Sequence, residues 1–306
     1  MTALRVSFLA IICLLFCSGG VLSADLVCRP LQVNEIPYFG PDEFGRGLLW
    51  KVTKEGLPSS YVFGTIHVAE RHVSAQLDKV RSVLAGSEVF VMEAVPEPDD
   101  IATLRQMMFF ADGTKLQDVI SADLYAETLA ELSAYHLTEK DVSAMKPWAA
   151  FLTMSYPAEM GVVLDQRLLR LARQGELDTM GLESMEEQSS LFNSFSLVDQ
   201  VRLLTDAVCH REILVGDFAK MISLYTRGDL AELFSYGQRY SFADNTLYES
   251  LTEKILTQRN YTMVERMRPV LETGAAFIAV GALHLPGEEG VLALLEKYDF
   301  EITRVF

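Results

Sequence analysis

The chain carries Gly-X-X-His twice, each time directly after a short apolar run, and this pairing limits the folds open to it. The first copy is Gly64-Thr65-Ile66-His67, after Tyr61-Val62-Phe63. The second is Gly281-Ala282-Leu283-His284, after Phe277-Ile278-Ala279-Val280. Only 5 histidines occur in 306 residues, and two of them share this frame. A short apolar run closed by glycine reads as a buried β-strand that ends in a sharp turn.

The same order of elements surrounds both motifs. After His67, the apolar positions Val73, Leu77, Val80 and Leu84 are spaced as on a helix, Gly86 stops it, and Glu88 to Glu93 reads as a buried strand. After His284, Leu285-Pro286-Gly287-Glu288-Glu289 turns the chain, Gly290 to Tyr298 reads as a helix and Glu301 to Val305 as a strand. Upstream, Leu48 to Val52 and Tyr61 to Gly64 form a hairpin around Glu55-Gly56 and Pro58-Ser59-Ser60. The expectation is an α/β fold: two similar strand-Gly-X-X-His-helix-strand units in a mixed or parallel sheet.

Between the units, from about residue 100 to about 260, the pattern is mostly helical. Leu124, Leu129, Leu132 and Tyr135 mark one helix; Thr138 with Asp141 reads as an N-cap, and Pro147 opens a further helix. Asp165 to Arg173 is amphipathic, and Gly175 breaks it. No low-complexity linker divides the stretch, so residues 25–306 read as a single α/β domain with a long helical insertion.

Residues 1–24 read as a secretory signal: Arg5, the apolar run Val6 to Cys17, the break Ser18-Gly19-Gly20, and small Ser23 and Ala24 at the cleavage position. The run is short for a membrane span, which takes about 20 residues. Two readings stand, a cleaved leader or a retained N-terminal tether, and both place the rest of the chain in the periplasm or outside the cell. Beyond the leader, Cys28 and Cys209 remain. In an oxidising compartment they suggest one disulfide, the alternative being two buried thiols. The formal net charge of −16 argues against binding a phosphate backbone, which needs clustered Lys and Arg. It does not otherwise choose a partner.

In parallel sheets, ligands sit beyond the carboxyl ends of the strands. His67, His284 and Glu93 all follow such ends. Two histidines and a carboxylate make a donor set for a catalytic divalent metal. Taken singly, a histidine at a strand end is more commonly a hydrogen-bonded core residue, and Glu93 alone would pass for an exposed strand-end acid. The repetition of the motif favours a site. His72, His136 and His210 fall outside the frame and read as loop or helix-end residues. Asp165 and Tyr156 are set aside as weaker candidates. Met107-Met108-Phe109-Phe110 reads as helix packing or as the lining of a peptide groove.

Several segments together resemble the TraB/GumN family. They are Leu49-Trp50-Lys51-Val52, Val62 to His67, Gly181-Leu182-Glu183-Ser184 with Glu186-Glu187-Gln188, Arg259-Asn260, and Val280 to Gly287. The resemblance places the chain in a wider group with the animal Tiki metalloproteases and the erythromycin-esterase and ChaN proteins. It implies an α/β fold and a hydrolase site for a divalent metal (manganese, cobalt or zinc) held by His67, His284 and Glu93, with peptides or other small molecules as substrates. By the same resemblance, Arg259 would stabilise an oxyanion and Asn260 would orient a ligand or substrate. Both also read as a plain helix-surface pair. Glu183 stays open between a general base, a partner of a ligating histidine and a helix N-terminal acid. Against the hydrolase stand two other readings: a non-catalytic binder of metal, haem or a small ligand, and a pseudoenzyme that supports an envelope partner.

Overall fold

The structure is a computed structural model and describes residues 26–34, 44–158 and 161–306. The expected leader, and Pro37 and Gly40-Pro41 of the N-terminal arm, lie outside the described residues.

Six strands form one mixed sheet in the order β5-β4-β7-β3-β2-β8. They are β2 (Leu49–Thr53), β3 (Ser60–Thr65), β4 (Val89–Met92), β5 (Asp178–Gly181), β7 (Ala276–Gly281) and β8 (Glu301–Arg304). β2 pairs antiparallel with both β3 and β8, while β3, β7, β4 and β5 run parallel. Among the described residues, two further strands, β1 (Gln32–Val33) and β6 (Tyr240–Ser241), make a separate small antiparallel pair. The central strand β7 is buried over five of its six residues, which explains its unbroken apolar sequence. The rings of Phe63 and Phe90, from the neighbouring strands, lie 6.1 and 6.2 Å from that of Phe277.

The two connections that follow the histidine motifs leave the sheet in opposite directions. From β3 the chain crosses over β7 to reach β4, through helix Gln76–Ala85; from β7 it crosses over β3 and β2 to reach β8, through helix Val291–Glu296. Right-handed crossovers in opposite directions put the two helices on opposite faces. Helix Leu164–Gln174 packs beside the first and helix Gln258–Leu271 beside the second. The neighbours β3 and β7 therefore flank a topological switch point, the place where open α/β sheets form a ligand crevice.

Among the described residues, those between 98 and 271 are helical apart from β5, β6 and the connections between elements. Trp148, Leu132, Leu116 and Met145 centre a second apolar cluster there, against which Met107, Met108 and Phe109 pack. The N-terminal arm is strapped to this layer by a Cys28–Cys209 disulfide with Cα atoms 5.5 Å apart. Beside it, Arg29 ion-pairs with Asp206 and lies over the Phe242 ring. Among the described residues, no helix is long and apolar enough to cross a membrane.

Candidate metal centre

Each parallel strand delivers one functional side chain to the same end of the sheet. His67 follows β3, Glu93 follows β4, Glu183 follows β5 and His284 follows β7. The pairing of β4 with β5 continues past the strand ends, through Leu182 N–H to Met92 O (2.8 Å) and Glu183 N–H to Glu93 O (2.7 Å). This sets the two glutamates side by side.

The motif glycines are required by close approach. A Cβ on Gly64 would lie 2.8 Å from Leu285 Cδ1 and 3.1 Å from the Ala282 Cα, so the first motif packs against the second. A Cβ on Gly281 would lie 3.1 Å from Glu93 Oε1 and 3.3 Å from His284 Cδ2. The Gly281 N–H instead donates to Glu93 Oε1 at 2.6 Å.

His284 is buried, and its Nδ1 lies 2.6 Å from Asn260 Oδ1. The Asn260 amide is oriented by its own Nδ2 donating to Glu289 O at 2.8 Å, so its oxygen faces the imidazole and Nδ1 carries the hydrogen. Nε2 then keeps a lone pair, 3.6 Å from Glu93 Oε1. Burial lowers the His284 pKa to about 4 against the pull of Glu93, which keeps the ring neutral.

On the other side, His67 Nδ1 lies 3.0 Å from Asp165 Oδ2, while Asp165 Oδ1 accepts from Thr65 Oγ1 at 2.6 Å. The negative charge of Asp165 raises the His67 pKa, and the half-exposed imidazole lets solvent screen part of that pull. Asp165, set aside on sequence grounds, is thus the residue that orients His67. A signal for it existed: Leu164, Leu168, Leu169 and Ala172 form the buried face of its helix, and Asp165 lies on that face. An acid on an apolar stripe needs a partner.

Arg259 joins the remaining groups. Its Nη2 donates to Glu93 Oε2 at 2.5 Å and to Glu183 Oε2 at 2.7 Å, and its Nε lies 3.1 and 3.0 Å from the two Glu183 oxygens. Nη1 donates to Ile255 O at 3.2 Å and lies 3.4 Å from His284 Nε2. Gln188 Nε2 bridges the same carboxylates, at 3.3 Å from Glu93 and 3.2 Å from Glu183. Burial alone would raise the Glu93 pKa, but His284, Arg259 and His67 outweigh it and hold the carboxyl at about 2. A π-helical turn, Glu253–Thr257, immediately precedes the helix that carries Arg259 and Asn260. Such turns recur at functional sites.

The other histidines lie apart from this cluster. His72 bonds to Glu70, His210 bonds to the Arg29 carbonyl in the arm strap, and His136 lies at φ 58° in the turn after helix Ala122–Ser133.

The family profile described as TraB/PrgY/gumN matches residues 48–304, which spans every strand and side chain of this cluster. The chain belongs to the TraB/PrgY/gumN family. It is 24% identical over 346 residues to Metalloprotease TIKI2 of Xenopus tropicalis, covering 94% of this chain and 66% of that protein. It is 22% identical over 309 residues to Metalloprotease TIKI1 of Homo sapiens, covering 83% and 61%. The chain thus spans less than two thirds of the length of these relatives. No solved structure matches it.

The name metalloprotease of these relatives points to a divalent metal, and part of a donor set for one is present here. His284 and His67 each have Nδ1 fixed by an acceptor, as metal-ligating histidines do. Two buried carboxylates against one guanidinium leave a negative charge beside them. The shell is not closed, however: among the described residues, no group of three His, Cys, Asp or Glu side chains lies close enough to hold one ion.

Proposed function

We propose that this protein is an exported, metal-dependent hydrolase acting on peptide or related amide bonds. The observation that carries the reading is His284 Nε2, which keeps its lone pair because Nδ1 is bonded to Asn260, and which lies 3.6 Å from Glu93 Oε1 and 3.4 Å from Arg259 Nη1. Family membership and the Tiki metalloprotease relatives support the chemistry. The leader-like residues 1–24 and the Cys28–Cys209 disulfide support export.

His284, Glu93 and His67 would hold the ion. The chemistry a divalent ion supplies when bound is polarisation of a carbonyl and acidification of water. The chain's own residues do the rest. Asn260 and Asp165 keep the two histidine Nε2 atoms turned toward the crevice. Gln188 bridges Glu93 and Glu183, and Arg259 spans the same two carboxylates, which keeps Glu93 ionised.

The reading is tested with a fluorogenic peptide library, on protein stripped with chelator and reloaded separately with manganese, cobalt or zinc. Cleavage restored by one of these metals, and lost in Glu93→Gln and His284→Ala, is expected. No cleavage with any metal would contradict it and favour a non-catalytic envelope protein that binds a metal, haem or another small ligand.

A further inference from the structure

Arg259, the residue expected to stabilise an oxyanion, has its donors committed to the residues expected to hold a metal. Nε pairs with both oxygens of Glu183, at 3.1 and 3.0 Å. Nη2 donates to Glu183 Oε2 at 2.7 Å and to Glu93 Oε2 at 2.5 Å. Nη1 donates to the Ile255 carbonyl at 3.2 Å and lies 3.4 Å from His284 Nε2. The Nδ1 hydrogen of His284 is taken up by Asn260, so Nε2 meets Nη1 as an acceptor. One guanidinium thus spans two carboxylates and the lone pair of a motif histidine.

A divalent ion calls on the same atoms. A nitrogen ligand sits about 2.0–2.1 Å from its ion, so none fits between Nε2 and an Nη1 atom 3.4 Å away. Both Glu93 oxygens are already engaged: Oε1 accepts from the Gly281 N–H at 2.6 Å, and Oε2 is shared by Arg259 and Gln188. Charge points the same way. Glu93 and Glu183 together match the charge of one divalent ion, and with the guanidinium between them only a single negative charge is left for it.

Arg259 also has a way out. Its side chain is 14% exposed, so it is not sealed into the sheet. Rotation about its side-chain bonds carries the guanidinium toward solvent while the neighbouring Asn260 stays bonded to His284.

We propose that the Arg259 guanidinium and the divalent ion compete for Glu93 and His284, the guanidinium holding these donors together until the ion displaces it. This rests on the metal-dependent reading above. The exchange of one cation for another means that the two buried carboxylates are never left without a counter-charge, which would be strongly destabilising.

The test titrates manganese calorimetrically into the chelator-stripped full chain, as wild type, Arg259→Ala and Arg259→Lys. The wild type gives up charge-assisted hydrogen bonds on loading and Arg259→Ala does not, so the variant should bind manganese about 10- to 100-fold more tightly. Arg259→Lys keeps the charge but not the fork that spans all three partners, and should fall between the two. Metal-free Arg259→Ala should melt below the wild type, and saturating manganese should raise its melting temperature by more than it raises that of the wild type. Zinc titrated into the nitrogen-labelled wild type should shift the Arg259 Nε–H resonance, assigned by its loss in Arg259→Lys, and open it to rapid exchange. Should Arg259→Ala fail to fold without metal, Arg259→Lys and the zinc titration decide. Manganese binding by Arg259→Ala that is equal or weaker shows Arg259 to be a positioning residue for the metal and overturns the inference, leaving the hydrolase reading standing. Affinity in Arg259→Lys equal to that of the wild type, or an Nε–H resonance that bound zinc leaves in place, overturns it in the same way. Uptake of metal by none of the three proteins removes the metal centre itself, and both readings with it.

Discussion

His284 Nδ1 and Asn260 Oδ1 are 2.6 Å apart, and the Asn260 amide is itself held by the Glu289 carbonyl at 2.8 Å. This chain of two bonds fixes which imidazole nitrogen faces the crevice. Asn260→Ala leaves a buried N–H without an acceptor and frees the ring to turn. The expected cost is about 1–3 kcal/mol of stability and about 10- to 100-fold in metal affinity. Asn260→Asp keeps the acceptor and should retain more of the affinity. Denaturant melts and manganese calorimetry measure the two effects separately.

Asp165 plays the matching part for His67, with a second bond to Thr65. Asp165→Ala should weaken metal binding about 10- to 100-fold, with Asp165→Asn intermediate because it retains an acceptor oxygen. Equal metal affinity in wild type and Asp165→Ala would mean that the orientation of His67 does not matter to the site.

Much of this was legible in the sequence, for identifiable reasons. β3, β4 and β7 announce themselves because a strand covered on both faces must be continuously apolar. Their ends therefore place His67, Glu93 and His284. β5 did not show: its four residues include Asp178 and an exposed Met180, and it is a strand only because β4 pairs with it. Asp165 was visible as part of an amphipathic helix but not as an acid on the buried face. Gln188 was visible only as part of a family segment. The network of Arg259 with Glu93 and Glu183 could not be read, because its partners lie 166 and 76 residues away and meet only once β7 has entered the sheet between β3 and β4.

The Cys28–Cys209 bridge joins residues 181 apart in sequence. It constrains a long loop of the unfolded chain, so Cys28→Ser with Cys209→Ser should cost about 2–4 kcal/mol in a reversible melt. The Arg29–Asp206 pair and the β1–β6 pairing remain in that variant, so the arm should stay docked at neutral pH. Metal affinity should not change, because the bridge ties the arm to the helical layer and not to the sheet. A melt indistinguishable from wild type would show that the bridge adds no stability.

Glu187 begins the helix that presents Gln188, accepting from Ser184 N at 2.8 Å and pairing with Arg266 at 2.7 Å. Its hydrogen bond to Arg266, with the Ser184 N–H, holds the carboxyl at about 2, down from 4.5. A depressed carboxylate contributes stability above its unfolded pKa and loses it as pH falls toward the folded value. Here that window runs from pH 4.5 down to about 2. Both partners are well exposed (39% and 48%), so the contribution stays below about 1 kcal/mol. Glu187→Gln should therefore cost little at pH 7 and flatten the stability slope across that window, as read from melts at stepped pH.

The central claim is that the two Gly-X-X-His motifs converge on one divalent ion. Elemental mass spectrometry of the purified protein, beside a His67→Ala/His284→Ala variant shown to be folded by its thermal melt, tests it most directly. About one equivalent of manganese, cobalt or zinc per chain in the wild type, absent from the variant, is the predicted result. Metal retained in the variant, or none in the wild type after reloading with each ion, would contradict the account.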